Sequence, residues 1–237
     1  MKMIGLIGGM SWESSAEYYR LLNQGVRDRT GPLASARCIL WSFDFSEIAA
    51  LQKAGDWDAL TRHMVQAARA LEAGGVDAIL ICTNTMHKLA AEVEAAVSIP
   101  LLHIVDPAAE QAKAMGAQRV ALLGTAFTME QDFYKNRLRE RHGLDVIIPD
   151  VDDRAQVHRI IYDELVAGVI TPQSRAIYRG IIARLVEQGA QAVILGCTEI
   201  MLLVQAEDSA VPLLDTTSLH VDAAIDFALG GVQASEG

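Results

Sequence analysis

Cys197 follows the apolar run Ala192 to Leu195 and Gly196, and it precedes Thr198 to Leu203, which reads as a helix start. A thiol in that setting meets unbonded backbone N–H groups and the positive end of a helix dipole. Both lower a cysteine pKa from about 8.5 toward neutrality and make the sulfur a base or nucleophile. An earlier loop, Cys82-Thr83-Asn84-Thr85-Met86-His87, has the same build. Written without a gap, Leu71 to Thr85 and Leu185 to Glu199 pair Leu71 with Leu185, Gly75 with Gly189, Ala78 with Ala192 and Thr83 with Cys197. Two such loops around one small substrate make a site approached from two sides. The hydroxyls and amide of Thr83, Asn84 and Thr85, with the N–H groups of a helix start, suit a substrate carboxylate. Asn84 or Thr85 as a helix N-cap is compatible with that role. The repeat sets Thr83 opposite Cys197, and adjacent residues of an extended strand point to opposite sides. Thr83 is therefore the geometric counterpart. Cys82, the better acid or base, is the alternative.

Other combinations carry less chemistry. Cys82 and His87 lack a second CxxC or HxxxH partner, so no metal site is expected. The glycines of Ile7 to Met10 belong to neither GxGxxG nor GxxxxGK[ST], and a tight turn explains them. No GxSxG elbow is present, and no lysine sits in a Schiff-base setting. Cys38 reads as a core residue, and His63 and His158 as solvated helix faces.

The elements that must position these loops come from hydrophobic spacing. Short runs at Met3 to Ile7, Cys38 to Phe43, Ala78 to Cys82, Arg119 to Leu123, Val146 to Ile148 and Ala192 to Leu195 read as buried strands. Helical spacing lies between them, as at Glu17 to Val26, Leu60 to Leu71, Glu130 to Arg141 and Tyr178 to Glu187. Strand alternating with helix predicts α/β architecture with doubly wound parallel sheets. Ile4 to Gly9 resembles Val120 to Thr125, and Ile99 to His103 resembles Val211 to Asp215. With the reactive loops these give three matches in one order, predicting two similar lobes related by pseudo-two-fold duplication. Residues 1–103 plus 215–237 form the first lobe and 104–214 the second, with a helix from Ser218 to Leu229, a fraying tail over 230–237, and the active site in the cleft between lobes. Ligands sit beyond the carboxyl ends of parallel strands, where the loops at Gly8, Cys82, Gly124 and Gly196 fall.

Charge and composition exclude several classes. A net charge of -10 over 237 residues, with a pI near 5.0, leaves no basic stripe for nucleic acid or an anionic membrane. The expected partner is a small molecule. The N-terminal apolar run is short and broken by Gly5, Gly8 and Gly9, which predicts a first strand and a cytoplasmic protein. Three cysteines without an export signal predict free thiols.

The stretches Gly8 to Ser15, Cys82 to His87, Gly124-Thr125 with Met129 to Tyr134, and Gly196 to Ile200 together resemble the cofactor-independent aspartate/glutamate racemase family. The resemblance covers essentially the whole chain. Its nearest part is the subgroup with CTNTMH and GCTE motifs, which holds aspartate/glutamate-specific and broad-specificity members; glutamate racemases usually carry His where Glu199 stands. It implies two similar lobes, often a homodimer, no cofactor, and two thiols flanking the substrate Cα. It further implies Met10, Gln52, Asn84, Thr85, Thr125, Thr198 and Glu199 as substrate contacts. The chain departs from that pattern in two places. Thr83 stands where the family has Cys, and Val166 stands where some members have a lysine that holds an acidic side chain. A hydroxyl is a far poorer base than a thiolate, so a kinetically lopsided racemase follows. Maleate isomerases, arylmalonate decarboxylases and hydantoin racemases share the scaffold and remain the alternative, as does a non-catalytic ligand sensor.

Overall fold

The computed structural model describes residues 1–230, so the expected fraying tail beyond Gly230 lies outside the described residues. The chain divides into two compact units, Met1–His103 with the chain from His220 onward, and Ile104–Leu219.

The first unit is built on three parallel strands, β1 (Ile4–Gly8), β2 (Cys38–Ser42) and β3 (Ala78–Ile81), in the order β2-β1-β3. Period-two alternation sorts their side chains onto two faces. Ile4, Leu6, Ala78, Leu80 and Cys82 pack with Tyr18, Leu22 and Val26 of the helix Trp12–Thr30 and with Val221, Ala224 and Ile225 of the helix Thr216–Leu229. Ile7, Ile79 and Ile81 pack on the other side with Leu60, Met64 and Leu71 of the helix Trp57–Ala73. Both faces are covered, as near-continuous apolar strands require. Gly9 turns the chain out of β1 with φ 79°, and a Cβ there would meet the Phe43 backbone at 2.3 Å, so this glycine serves turn geometry.

The second unit has β4 (Arg119–Gly124), β5 (Asp145–Ile147), β6 (Ala192–Gly196) and β7 (Leu213–Asp215), all parallel, in the order β5-β4-β6-β7. Its topology repeats that of the first unit strand for strand. β1 pairs Ile4 with Ala78, and β4 pairs Val120 with Ala192; an isolated bridge from Ile79 to Leu101 stands where Val193 pairs with Leu213. The sequence repeat is therefore a structural repeat in the same register.

One predicted helix is broken. Over Glu130 to Arg141 the chain forms Ala126–Glu130, then Asp132–Asn136, then a π-helical turn at Arg137–Arg141. Gln131 is extended, with φ -79° and ψ 152°, and it ends one helix while starting the next. No helix among the described residues is long and apolar enough to cross a membrane.

Candidate active site

Strand register fixes which residues of the two reactive loops are equivalent. Ala78 corresponds to Ala192, so Cys82 corresponds to Gly196, Thr83 to Cys197, and Thr85 to Glu199. Cys82 continues the face of Ala78 and Leu80, is 1% exposed, and sits among apolar side chains. Burial pushes its thiol far above the usual range. Thr83 is half-buried.

The rest of the first unit's loop is built around this point. Asn84 holds the N-cap position of the 3₁₀ turn Thr85–Leu89, although its side chain does not make the capping bond expected of it. His87 directs Nδ1 to the Thr83 carbonyl at 2.8 Å. Gln52, on the helix Phe45–Ala54, reaches the same loop by donating to the Met86 sulfur at 3.3 Å, and Met10 shares Met86's apolar cluster. Met10, Gln52, Thr83, Asn84 and Thr85 thus belong to one neighbourhood of the first unit. Met10, Met86 and Met129 are all buried side chains.

Because Cys82 is buried in an apolar cluster, Cys82→Ser is expected to destabilise the fold by about 1–3 kcal/mol for the buried hydroxyl and to leave α-proton exchange intact. Chemical denaturation alongside an exchange assay checks both halves; loss of exchange in a folded variant would transfer the second base to Cys82.

In the second unit, Cys197 follows β6 on the face of Val193 and Leu195 and packs against their cluster. Its Sγ donates to Glu199 Oε2 at 3.0 Å, and the Thr198 hydroxyl donates to the same oxygen at 2.7 Å. This overturns the expected electrostatics. The helix after Cys197 is the single turn Ile200–Leu203, too short to build a dipole, and burial together with the Glu199 charge pushes the thiol well above its ordinary range. Glu199, which the resemblance implies as a substrate contact, has its carboxylate turned to the thiol. A carboxylate so placed can take the thiol's proton when the thiolate is needed. Glu199→Gln removes the neighbouring charge, so the thiolate forms at lower pH and Cys197 should react faster with iodoacetamide at mildly alkaline pH. Slower or unchanged labelling contradicts the assigned electrostatics.

Thr125 ends β4 and caps the helix Ala126–Glu130, its hydroxyl accepting from the Thr128 N–H. The sequence reading missed the groups behind it. His158 is no solvated face: the Ala126 N–H donates to its Nδ1 at 3.2 Å, and its ring lies 4.7 Å from that of Tyr162. Burial depresses the His158 pKa and raises that of the Tyr162 phenol, which also feels Cys197 and Glu199. The four-residue spacing of His158 and Tyr162 on the helix Val151–Asp163 was the available signal. Among the described residues, no three His, Cys, Asp or Glu side chains are placed to share a metal ion.

Comparison with known proteins bears on the chain as a whole. The family model described as Asp/Glu/Hydantoin racemase matches residues 7–224. The crystal structure of a candidate Asp/Glu racemase from Yersinia pestis is 53% identical, covers 97% of this chain and 100% of its own, and superposes with a TM-score of 0.92. An aspartate racemase homologue from Pyrococcus horikoshii OT3 is 33% identical over 96% of this chain and 99% of its own, with a TM-score of 0.84. The broad specificity amino-acid racemase RacX of Bacillus subtilis (strain 168) is 26% identical over 167 residues, 69% of this chain and 70% of that protein.

Proposed function

From membership of the Asp/Glu/Hydantoin racemase family, to which this chain belongs, we propose that the protein is an amino-acid racemase that inverts Cα without a cofactor, using Cys197 on one face and Thr83 on the other. Enzymes of the family are isomerases. The observation that carries the reading is the Cys197–Glu199 hydrogen bond at the end of β6, at the position that strand register makes equivalent to Thr83.

In the proposed reaction, Glu199 accepts the Cys197 thiol proton and the thiolate removes the proton from Cα. The electron pair left on Cα delocalises into the substrate carboxylate, which backbone N–H groups and the Thr85 hydroxyl hold. An α-proton is weakly acidic, so stabilisation of this developing charge is where the loops act. A proton then passes to the opposite face from the Thr83 hydroxyl or a water on it, and solvent restores both groups. Thr83 lacks a thiol, and its unit carries Thr85 where the other has Glu199. The second face is therefore the slow one.

The proposed substrates are aspartate, glutamate or a broader set of amino acids. Val166, half-buried against the second unit's core, offers no charge to an acidic side chain, which favours the broader set. A homodimer in the cytoplasm, free of nucleic acid and membrane, completes the proposal. Incubation with L-amino acids in deuterated water, followed by NMR at the α-proton, tests it. Exchange with inversion supports racemisation. Binding without exchange supports a ligand sensor, and exchange confined to other carbon acids supports a sister enzyme of the same scaffold.

A further inference from the structure

The 3₁₀ turn after Thr83 leaves one carbonyl in need of a donor. In an α-helix the His87 N–H would return four residues to Thr83, but here it returns three, to the Asn84 carbonyl at 3.2 Å. The His87 ring supplies the missing donor. Its Nδ1 lies 2.8 Å from the Thr83 oxygen, and a carbonyl only accepts, so Nδ1 carries the proton.

The ring has little freedom to do anything else. His87 is 2% exposed, with the His103 ring 4.5 Å away and the His220 ring at 5.8 Å, edge to face. His220 is fixed at both nitrogens: Nε2 donates to the Leu102 carbonyl at 2.7 Å, and Nδ1 accepts from the Tyr18 hydroxyl at 2.9 Å. The second unit has no counterpart to this clamp. Met201 is the residue equivalent to His87, and the Cys197 carbonyl takes the Ile200 N–H instead, at 3.2 Å. The loop that lacks the thiol is the one held by a buried histidine.

We propose that His87 is a positioning residue for proton transfer at Thr83, its Nδ1–H fixing the backbone from which the Thr83 hydroxyl projects; this rests on the reading of Thr83 as the group serving the second face. A weak acid or base depends on alignment more than a strong one does, and displacement by about 1 Å can cost 10²-fold in rate.

The test uses the full chain, with both enantiomers of aspartate, glutamate, alanine and lysine as probes in deuterated water. His87→Leu is expected to lower the rate of inversion ~10-fold to ~100-fold with KM unchanged, while exchange at the Cys197 face persists. Asparagine can place an amide N–H where Nδ1 stands and glutamine cannot, so His87→Asn should recover most of the rate and His87→Gln should not. In a Thr83→Ala background His87→Leu should cost nothing further. Parent-like inversion in His87→Leu, equal loss in the Asn and Gln variants, or additive loss with Thr83→Ala each overturns the assignment. If the Leu variant fails to fold, the Asn and Gln pair decides. Inversion at the parent's rate in Thr83→Ala rejects the Thr83 reading itself, whatever His87 does, and no exchange of any probe by the parent protein rejects the racemase.

Discussion

Cys197→Ser is expected to slow α-proton exchange by ~10² to ~10⁴-fold, the range that a single general acid–base group supplies. Serine preserves the local architecture, since its hydroxyl can still donate to Glu199, and Cys197 contributes only part of its surface to the apolar cluster beneath it. What is lost is the acidity difference between a thiol and an alcohol. Even with its pKa pushed up by burial and by Glu199, the thiol ionises far more readily than a hydroxyl, and the carboxylate beside it lies within hydrogen-bond reach of the proton. The loss should appear in kcat with KM little changed, because the group acts on the reacting proton. Full exchange of both enantiomers by the folded serine variant would remove Cys197 from the mechanism.

Thr83→Cys should act in the opposite direction. Exchange of the slow enantiomer should rise ~10-fold to ~100-fold as a thiol replaces the hydroxyl, bringing the two faces closer to parity. Parity should remain incomplete, because Thr85 stands where the other loop has Glu199 and no carboxylate is supplied to the new sulfur. The gain should consequently grow with pH more steeply than exchange at the Cys197 face. A folded variant with unchanged exchange of the slow enantiomer would mean that position 83 does not face the reacting carbon.

The register that makes these predictions possible was legible in the sequence. Short parallel strands ending in the same turn leave an ungapped pattern, and Ile4, Ala78, Val120 and Ala192 pair in the structure as that pattern requires. Local signals also gave the long helices, because Tyr18, Leu22 and Val26 recur at helical spacing. What escaped the sequence depends on contacts between distant residues or on a rotamer. The break at Gln131 lies where its backbone turns extended between two short helices, and the role of His158 follows from the approach of Ala126, 32 residues away. The direction of the Cys197 shift was misjudged because the helix behind it proved to be one turn long and because Glu199 turns inward to the sulfur. The rotamer that turns a carboxylate two residues away onto the sulfur has no signature in the order of residues.

The most direct measurement compares deuterium incorporation at Cα with inversion, starting separately from each enantiomer of the most reactive amino acid. Mirror-image amino acids have equal free energy in water, so the equilibrium must be even and any inequality lies in the exchange rates. With Cys197 serving one face and Thr83 the other, one enantiomer should incorporate deuterium with retention well before it inverts, and its mirror image should exchange only as fast as it inverts. Equal incorporation from both enantiomers would contradict the account.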